Sequence, residues 1–343
     1  MWERLKRKTR KLATIQKVEA IRPIPDADRI ELAQILGWEV VVKKGQFKPG
    51  DLCLFIEVDS LVPARIWLPF MLKDRNPNKI IKIRTKKMKG QISQGLAIPI
   101  KEVLFKMEGY ELGDDLTEPL GIKKIEDKIP KSQNVMGRFP HPIPKTDEPR
   151  FQSVPELFQR FKKYQGDVYA SLKIDGMSAT YFYSREEFMV FSRNWRIADG
   201  NNPYWNIARK YKIEEKLRDR RNLVIQGEIY GPKIQGNRLG VDDIEFAVFN
   251  MLNFRIAAMH KKLFDMIEMR VFLKSINIPM VPVIYEGKFK WNSINEMLDY
   301  ADTLEYPNGH RAEGFVVRTI QPQQYEKRIL SGKIVSRDYL LKK

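Results

Sequence analysis

The sequence predicts an α+β protein of two domains, a small β-barrel followed by a larger domain of antiparallel sheets and helices. Three observations lead there. A chain of 343 residues, 43% of them hydrophobic, is longer than one compact core usually holds. Short strand-like runs broken by glycine and proline fill residues 10–120, while helical periods are found in the second half. Between the halves lies a stretch rich in proline and charge.

In the first half, "WEVVVKK" and "DLCLFIEVDS" read as strands separated by "GQFKPGD", whose Pro-Gly marks a turn. "KIIKIRTKKMKGQISQGLAIPI" alternates basic and apolar residues, then bends at Gly90 and Gly95. Strands this short with glycine corners suit a barrel of the OB type, a frequent nucleic-acid platform. A barrel that only supports its neighbour has the same signature. The boundaries read as 1–125 for the barrel, 126–150 for a linker running over a surface, and 151–343 for the second domain. There "NLVIQGEIYG", "IEFAVFNML" and "AEGFVVRT" read as strands. "AMHKKLFDMIEMRVFLKSIN" has helical spacing along its length, and "SINEMLDYAD" reads as a helix with Ser293 as N-cap and Glu296 three places on.

The net charge of +18 suits a polyanionic partner, since lysines and arginines displace the counterions of phosphates, although solubility alone also favours charge. Charge does not separate RNA from DNA. The single cysteine, Cys53, forbids an internal disulfide and fits a reducing compartment. There is no apolar run of membrane-span length, and "MWERLKRKTRKL" lacks the apolar segment of a signal peptide. The expectation is a soluble, cytoplasmic and monomeric protein without a membrane partner.

Chemistry enters at "YASLKIDGMSATYFY", residues 169–183. Alternation puts Lys173 and Asp175 on one face of an apolar strand, a costly placement unless a site needs them. A lone K-x-D-G is weak, but more follows in order: Arg193 and Asn194 in "FSRNWRIAD", Glu228 in "IQGEIYGPKIQGN", Phe249 in "FAVFN", Glu313 in "RAEGFVVR" and Lys333 in "SGKIVSRDYLLKK". His141, His260 and His310 lack metal-ligand or triad spacing and read as structural or exposed.

As an ordered set these segments resemble motifs I, Ia, III, IIIa, IV and V of the covalent nucleotidyltransferases, the ATP-dependent ligases and mRNA capping enzymes, whose catalytic domain is an ATP-grasp-like assembly of antiparallel sheets and helices. The resemblance implies that Lys173 attacks the α-phosphorus of ATP and carries AMP. Free lysine titrates near pH ~10.4, and carboxylates push it higher. Asp175, Glu228 and Glu313 are therefore expected to hold a hydrated Mg2+ or Mn2+ that reverses the local field. Lys333 would contact the α-phosphate, Arg193 the ribose or a 5′-phosphate end, and Phe249 the adenine face. Gly176 and Gly314 would let the backbone approach the nucleotide.

Residues 10–63, "KGQISQGLAIP" (Lys89–Pro99) and "IPKTDEPRFQ" resemble RNA ligases built from an N-terminal OB domain and a minimal adenylyltransferase domain. This implies ATP-dependent joining of 3′-OH and 5′-phosphate RNA ends, at nicks in duplex RNA or RNA–DNA hybrids, with Lys145 and Arg150 contacting the β- and γ-phosphates. Only residues 334–343 follow Lys333, which argues against the C-terminal OB domain of DNA ligases and capping enzymes. Two positions depart from the pattern. Val335 replaces the second lysine of a Lys-x-Lys pair, and Leu172 stands where a glutamate often precedes the nucleophile. The rivals are a ligase preferring DNA ends, a guanylyltransferase, and a nucleic-acid binder with a weakened site.

Overall fold

The computed structural model describes residues 10–64, 79–103, 109–125, 135–140, 143–184, 187–220, 222–255, 260–325 and 328–341. The chain divides into two compact units, Met1–Lys128 with Leu340–Lys343, and Ile129–Tyr339.

The first unit is antiparallel throughout. Its strands are β1 (Ala13–Lys17), β2 (Ala20–Pro23), β3 (Ile30–Ile35), β4 (Trp38–Lys43), β5 (Leu52–Ile56), β6 (Ser60–Pro63), β7 (Ile80–Ile83), β8 (Lys86–Met88), β9 (Gln91–Ser93), β10 (Leu96–Pro99) and β11 (Lys123–Lys124). They pair as β1-β5-β10, β2-β3-β4, β11-β6-β7 and β8-β9. β5 is buried on both faces: Leu54 and Ile56 join one apolar cluster, Cys53 and Phe55 another with Trp38 and Val40. A strand serving two clusters explains the unbroken apolar run "LCLFI". Cys53 is a free, buried thiol whose pKa burial pushes up to about 12, so it packs as a small apolar side chain.

The second unit runs β12 (Val135–Arg138), α1 (Pro155–Lys163), β13 (Val168–Leu172), β14 (Met177–Ser184), β15 (Glu187–Ser192), β16 (Trp195–Ile197), α2 (Pro203–Lys210), α3 (Ile213–Arg218), β17 (Leu223–Tyr230), β18 (Glu245–Arg255), β19 (His260–Leu263), α4 (Met266–Ser275), β20 (Val283–Gly287), α5 (Ile294–Thr303), β21 (Gly314–Thr319), β22 (Gln324–Tyr325), β23 (Arg328–Ile329), β24 (Ser331–Val335) and α6 (Arg337–Leu341). A seven-stranded sheet has the order β12-β16-β15-β14-β17-β18-β19, and a four-stranded sheet the order β20-β13-β21-β24.

Each sheet has a helix-backed apolar face. Ile225 and Ile229 of β17 pack with Ile207 of α2, Leu217 of α3 and Leu273 of α4. Val168 and Ala170 of β13 and Phe315 and Val317 of β21 pack with Phe161 of α1 and Leu298 of α5. The two-residue strand period therefore sends Glu228, Lys333 and their neighbours to the opposite faces.

Two sequence expectations change. The helix read over 258–277 is β19 followed by α4, because Asp265 caps α4 in a box with Glu268 and stops helix propagation upstream. Of residues 126–150, read as linker, 135–138 form β12, which pairs with β16, and 143–150 form a strap fastened to the sheets at several points. Ser293 caps α5 as expected, its hydroxyl accepting from the Glu296 N–H.

Candidate active site

The segment 173–176 lies at the end of β13, between that strand and β14. Lys173 Nζ donates to Glu313 Oε2 at 2.7 Å, across a separation of 140 residues. The backbone makes this meeting possible, since the Lys173 N–H donates to Gly314 O at 2.9 Å. Gly176 and Gly314 serve protein packing here. A Cβ on Gly176 would meet Ile229 O at 2.2 Å, and one on Gly314 would meet Ile334 O at 2.1 Å. Gly314 also has φ +135°, a conformation L side chains rarely adopt.

Asp175 is buried, and Arg238 Nε stands 3.7 Å from its Oδ2. Tyr339, from α6, hydrogen-bonds the same carboxylate and lies under the Arg238 guanidinium at 4.5 Å. Glu228 completes the acidic group. Burial, with Glu313 and Asp175 nearby, pushes its carboxyl up to about 8, although Lys173 pulls the other way. For Lys173, burial favours the neutral amine, but Glu313, Glu228 and Asp175 outweigh it and raise the pKa. Lys333 behaves oppositely: burial and the charges of Lys173 and Arg150 bring it down to about 8. Among the described residues, no three His, Cys, Asp or Glu side chains form a group that could hold a metal ion alone. Asp175, Glu228 and Glu313 offer oxygen donors, the ligand type that Mg2+ takes beside its waters.

Phe249 owes its place to a β-bulge. Along β17 and β18, Gly227 pairs with Val248 but Gln226 pairs with Asn250, leaving Phe249 as the extra residue. It packs by a cluster of Ile174, Ala247 and Val281, beside the nucleophile loop. Arg318 lies 5.5 Å from the Phe249 ring and donates to its carbonyl at 3.0 Å. Arg318 is itself buried and paired with Glu148 at 2.5 Å, and Glu148 also accepts from the Ser331 hydroxyl.

Glu148 belongs to the strap, which touches nearly every motif. Lys145 Nζ donates to Asn194 Oδ1 at 2.6 Å, and Arg193 pairs with Asp147 at 2.5 Å. Lys333 N–H donates to Pro149 O at 2.8 Å, and Arg150 forms a parallel bridge with Lys333. The structure thus gathers Lys173, Asp175, Glu228, Glu313, Lys333 and Arg150 into one electrostatic group, with Phe249 beside it. Lys145 and Arg193 stand at its edge, through the strap. Leu172 turns its side chain into an apolar cluster with Tyr306 and Ala312, and its N–H donates to Pro282 O. Val335 is buried on β24, paired with Gly314.

Sequence reasoning missed Glu148, Tyr306, Arg318, Arg238 and Tyr339. Only Arg318 left a trace, a cation within the apolar run "GFVVRT". Of the histidines, His310 is exposed with its ring near Arg238 O at 3.1 Å, whereas His141 lies outside the described residues.

A model of an OB-fold domain matches residues 12–100, and the RNA ligase model matches residues 166–335. A search of curated proteins gave no match. Among solved structures, an apo mutant of Naegleria gruberi RNA ligase is 30% identical, with 98% of this chain and 99% of that chain covered and a TM-score of 0.79. A mutant of that ligase with ATP and Mn has the same identity and TM-score over 97% of this chain and 99% of its own. The Naegleria gruberi ligase with pyrophosphate is 31% identical, over 97% and 99% of the two chains, with a TM-score of 0.77. With a lysine-centred acidic site on one unit and an OB fold on the other, and with identity sustained over nearly its whole length, the chain belongs to the RNA ligase family.

Proposed function

We propose that this RNA ligase consumes ATP through a lysyl-AMP on Lys173 and joins a 3′-OH to a 5′-phosphate, at nicks in duplex RNA or in hybrids whose 3′-OH strand is RNA. The observation that carries this reading is the half-buried contact of Lys173 with Glu313 inside the group formed with Glu228, Asp175 and Lys333. That Naegleria gruberi ligase structures hold ATP, AMP or pyrophosphate supports adenylyl transfer as the shared chemistry.

The chain's residues divide the work. Adenine stacks on Phe249, held from behind by Arg318. Lys173 Nζ loses a proton, forms a bond to the α-phosphorus and expels pyrophosphate; Glu313 Oε2 lies on the path that proton takes. Lys333 faces the same phosphate and stabilises its developing charge. Arg150 and Lys145 meet the outer phosphates, and Arg193 the 5′-phosphate end. Asp175, Glu228 and Glu313 are the side chains that would hold hydrated Mg2+ or Mn2+, whose charge favours the neutral lysine and offsets the triphosphate. AMP then passes to the 5′-phosphate, and attack by the 3′-OH releases it. The positive charge of the chain suits RNA as the partner. The free buried thiol suits the cytoplasm, and we read the working form as a monomer; among the described residues there is no helix long and apolar enough to cross a membrane.

Two measurements test this. Purified protein incubated with α-labelled ATP and Mg2+ retains label on a denaturing gel, whereas label from GTP alone points to capping chemistry. A ligation panel with RNA or DNA placed separately on each side of a nick seals when the 3′-OH strand is RNA. Equal sealing of an all-DNA nick removes the RNA assignment.

A further inference from the structure

The strands that carry the nucleophile and Glu313 part company where the chemistry takes place. β13 and β21 stay in register from Val168–Thr319 to Leu172–Phe315. Beyond that point residues 173–176, and Glu313 ahead of β21, lie outside both strands. One phenol spans the gap. The Tyr306 hydroxyl donates to Lys173 O at 2.7 Å and accepts from the N–H groups of Asp175 at 3.1 Å and Glu313 at 3.2 Å. One donor and two lone pairs are then fully used.

The ring is as firmly held as the hydroxyl. Tyr306 is 3% exposed and packs with Leu172 and Ala312. Its own N–H donates to His310 O at 2.8 Å, closing the turn that returns the chain to Glu313. Burial raises the phenol's pKa, so it keeps the proton it donates.

We infer that Tyr306 is a positioning residue for lysine adenylylation, tying the backbone of Lys173 and Asp175 to that of Glu313 so that the amine meets the α-phosphorus in line. The inference rests on the RNA ligase reading above. With the phenol gone, Lys173 O and the Asp175 N–H lose their link to the Glu313 N–H. Only the Lys173 N–H bond to Gly314 O still joins the two backbones there, while the Phe249 slot for adenine is untouched. A displacement of the order of 1 Å at a reacting atom costs about 100-fold in rate.

Tyr306→Phe keeps the ring and removes only the hydroxyl, and three quantities separate the possibilities. They are the rate of lysyl-AMP formation at saturating ATP, the ATP concentration giving half that rate, and sealing of a pre-adenylylated RNA nick, in which no bond to Lys173 forms. Positioning predicts that the first falls about 100-fold while the other two stay within about threefold of wild type. A first rate within about threefold overturns the proposal. So does a collapse of all three together with the thermal transition, since that marks a support of the fold at large. Tyr181→Phe, which removes a buried hydrogen bond to Tyr204 O away from the site, provides the matched control and leaves all three unchanged. If wild-type protein takes no label from ATP, the ligase reading itself fails, and the inference with it.

Discussion

Around the four-stranded sheet, Lys173 follows β13, Glu313 precedes β21 and Lys333 lies on β24, three adjacent strands, and the three stand within one electrostatic group. On the seven-stranded sheet, β17 and β18 supply a carboxylate, Glu228, and an aromatic plane, Phe249, lifted out by a bulge. The first sheet brings the two amines together; the second brings Phe249 and an acid that burial makes reluctant to ionise. The side chains of the candidate site thus come from both sheets. Moreover, the two lysines are tuned in opposite directions by neighbours, Lys173 upward by acids and Lys333 downward by burial and cations.

The largest effect breaks the comparison on the amine side. Lys173→Ala should lower self-adenylylation by a factor on the order of 10⁴ or more, read as label retained from α-labelled ATP. Residual charging would shift the nucleophile to the other amine, Lys333, and reverse the roles of the two strands.

Glu228→Gln tests the opposite sheet. It keeps the shape and removes the charge, so adenylylation should fall by about 10²–10³-fold. Stability should move the other way or not at all. A buried carboxyl raised to about 8 binds its proton more tightly folded than unfolded, so its ionised form opposes folding and a neutral amide avoids that cost. A thermal transition well below wild type would mean that Glu228 is a structural partner.

A smaller effect sharpens the role of the bulge. Base–aromatic stacking is worth about 1–3 kcal/mol, so Phe249→Ala should raise the half-saturating ATP concentration by about 5–150-fold, with the saturated rate less affected. Phe249→Trp should restore it. An unchanged ATP dependence in the alanine variant would assign the adenine to another surface.

What the sequence reveals of this division is uneven, for physical reasons. Lys173, Glu228, Glu313 and Lys333 are legible as an ordered set of segments, and Glu228 and Glu313 also as charges beside a glycine in an apolar run, a placement that burial penalises without a purpose. Phe249 was visible as a residue, yet its bulge was not, since a bulge depends on which residue faces it across the sheet. Tyr306 left no trace: "EYPNGH" has the composition of a turn, and its hydroxyl acts on the backbone of residues far along the chain. The strap misled for the opposite reason. Prolines and charges gave residues 135–150 the look of a linker, but Glu148 and Pro149 fasten them to Arg318 and Lys333. The helix expected over 258–277 holds only over 266–275, because spacing alone does not register a cap such as Asp265 within the run.

The smallest effect concerns Val335, where a Lys-x-Lys pair would place a third amine on the four-stranded sheet. Val335 is 5% exposed and faces the same side of β24 as Lys333. An ammonium there would be desolvated and would add like charge next to Lys333, already brought down to about 8. Val335→Lys should therefore cost about 1–3 kcal/mol of stability, measured by denaturant unfolding, and leave adenylylation within about threefold. The reasoning is that Arg150, bridged to Lys333, already brings a cation to this end of the strand. An acceleration above about tenfold would show instead that the amine count of the four-stranded sheet limits the enzyme, and that the strap's arginine does not substitute for the missing lysine.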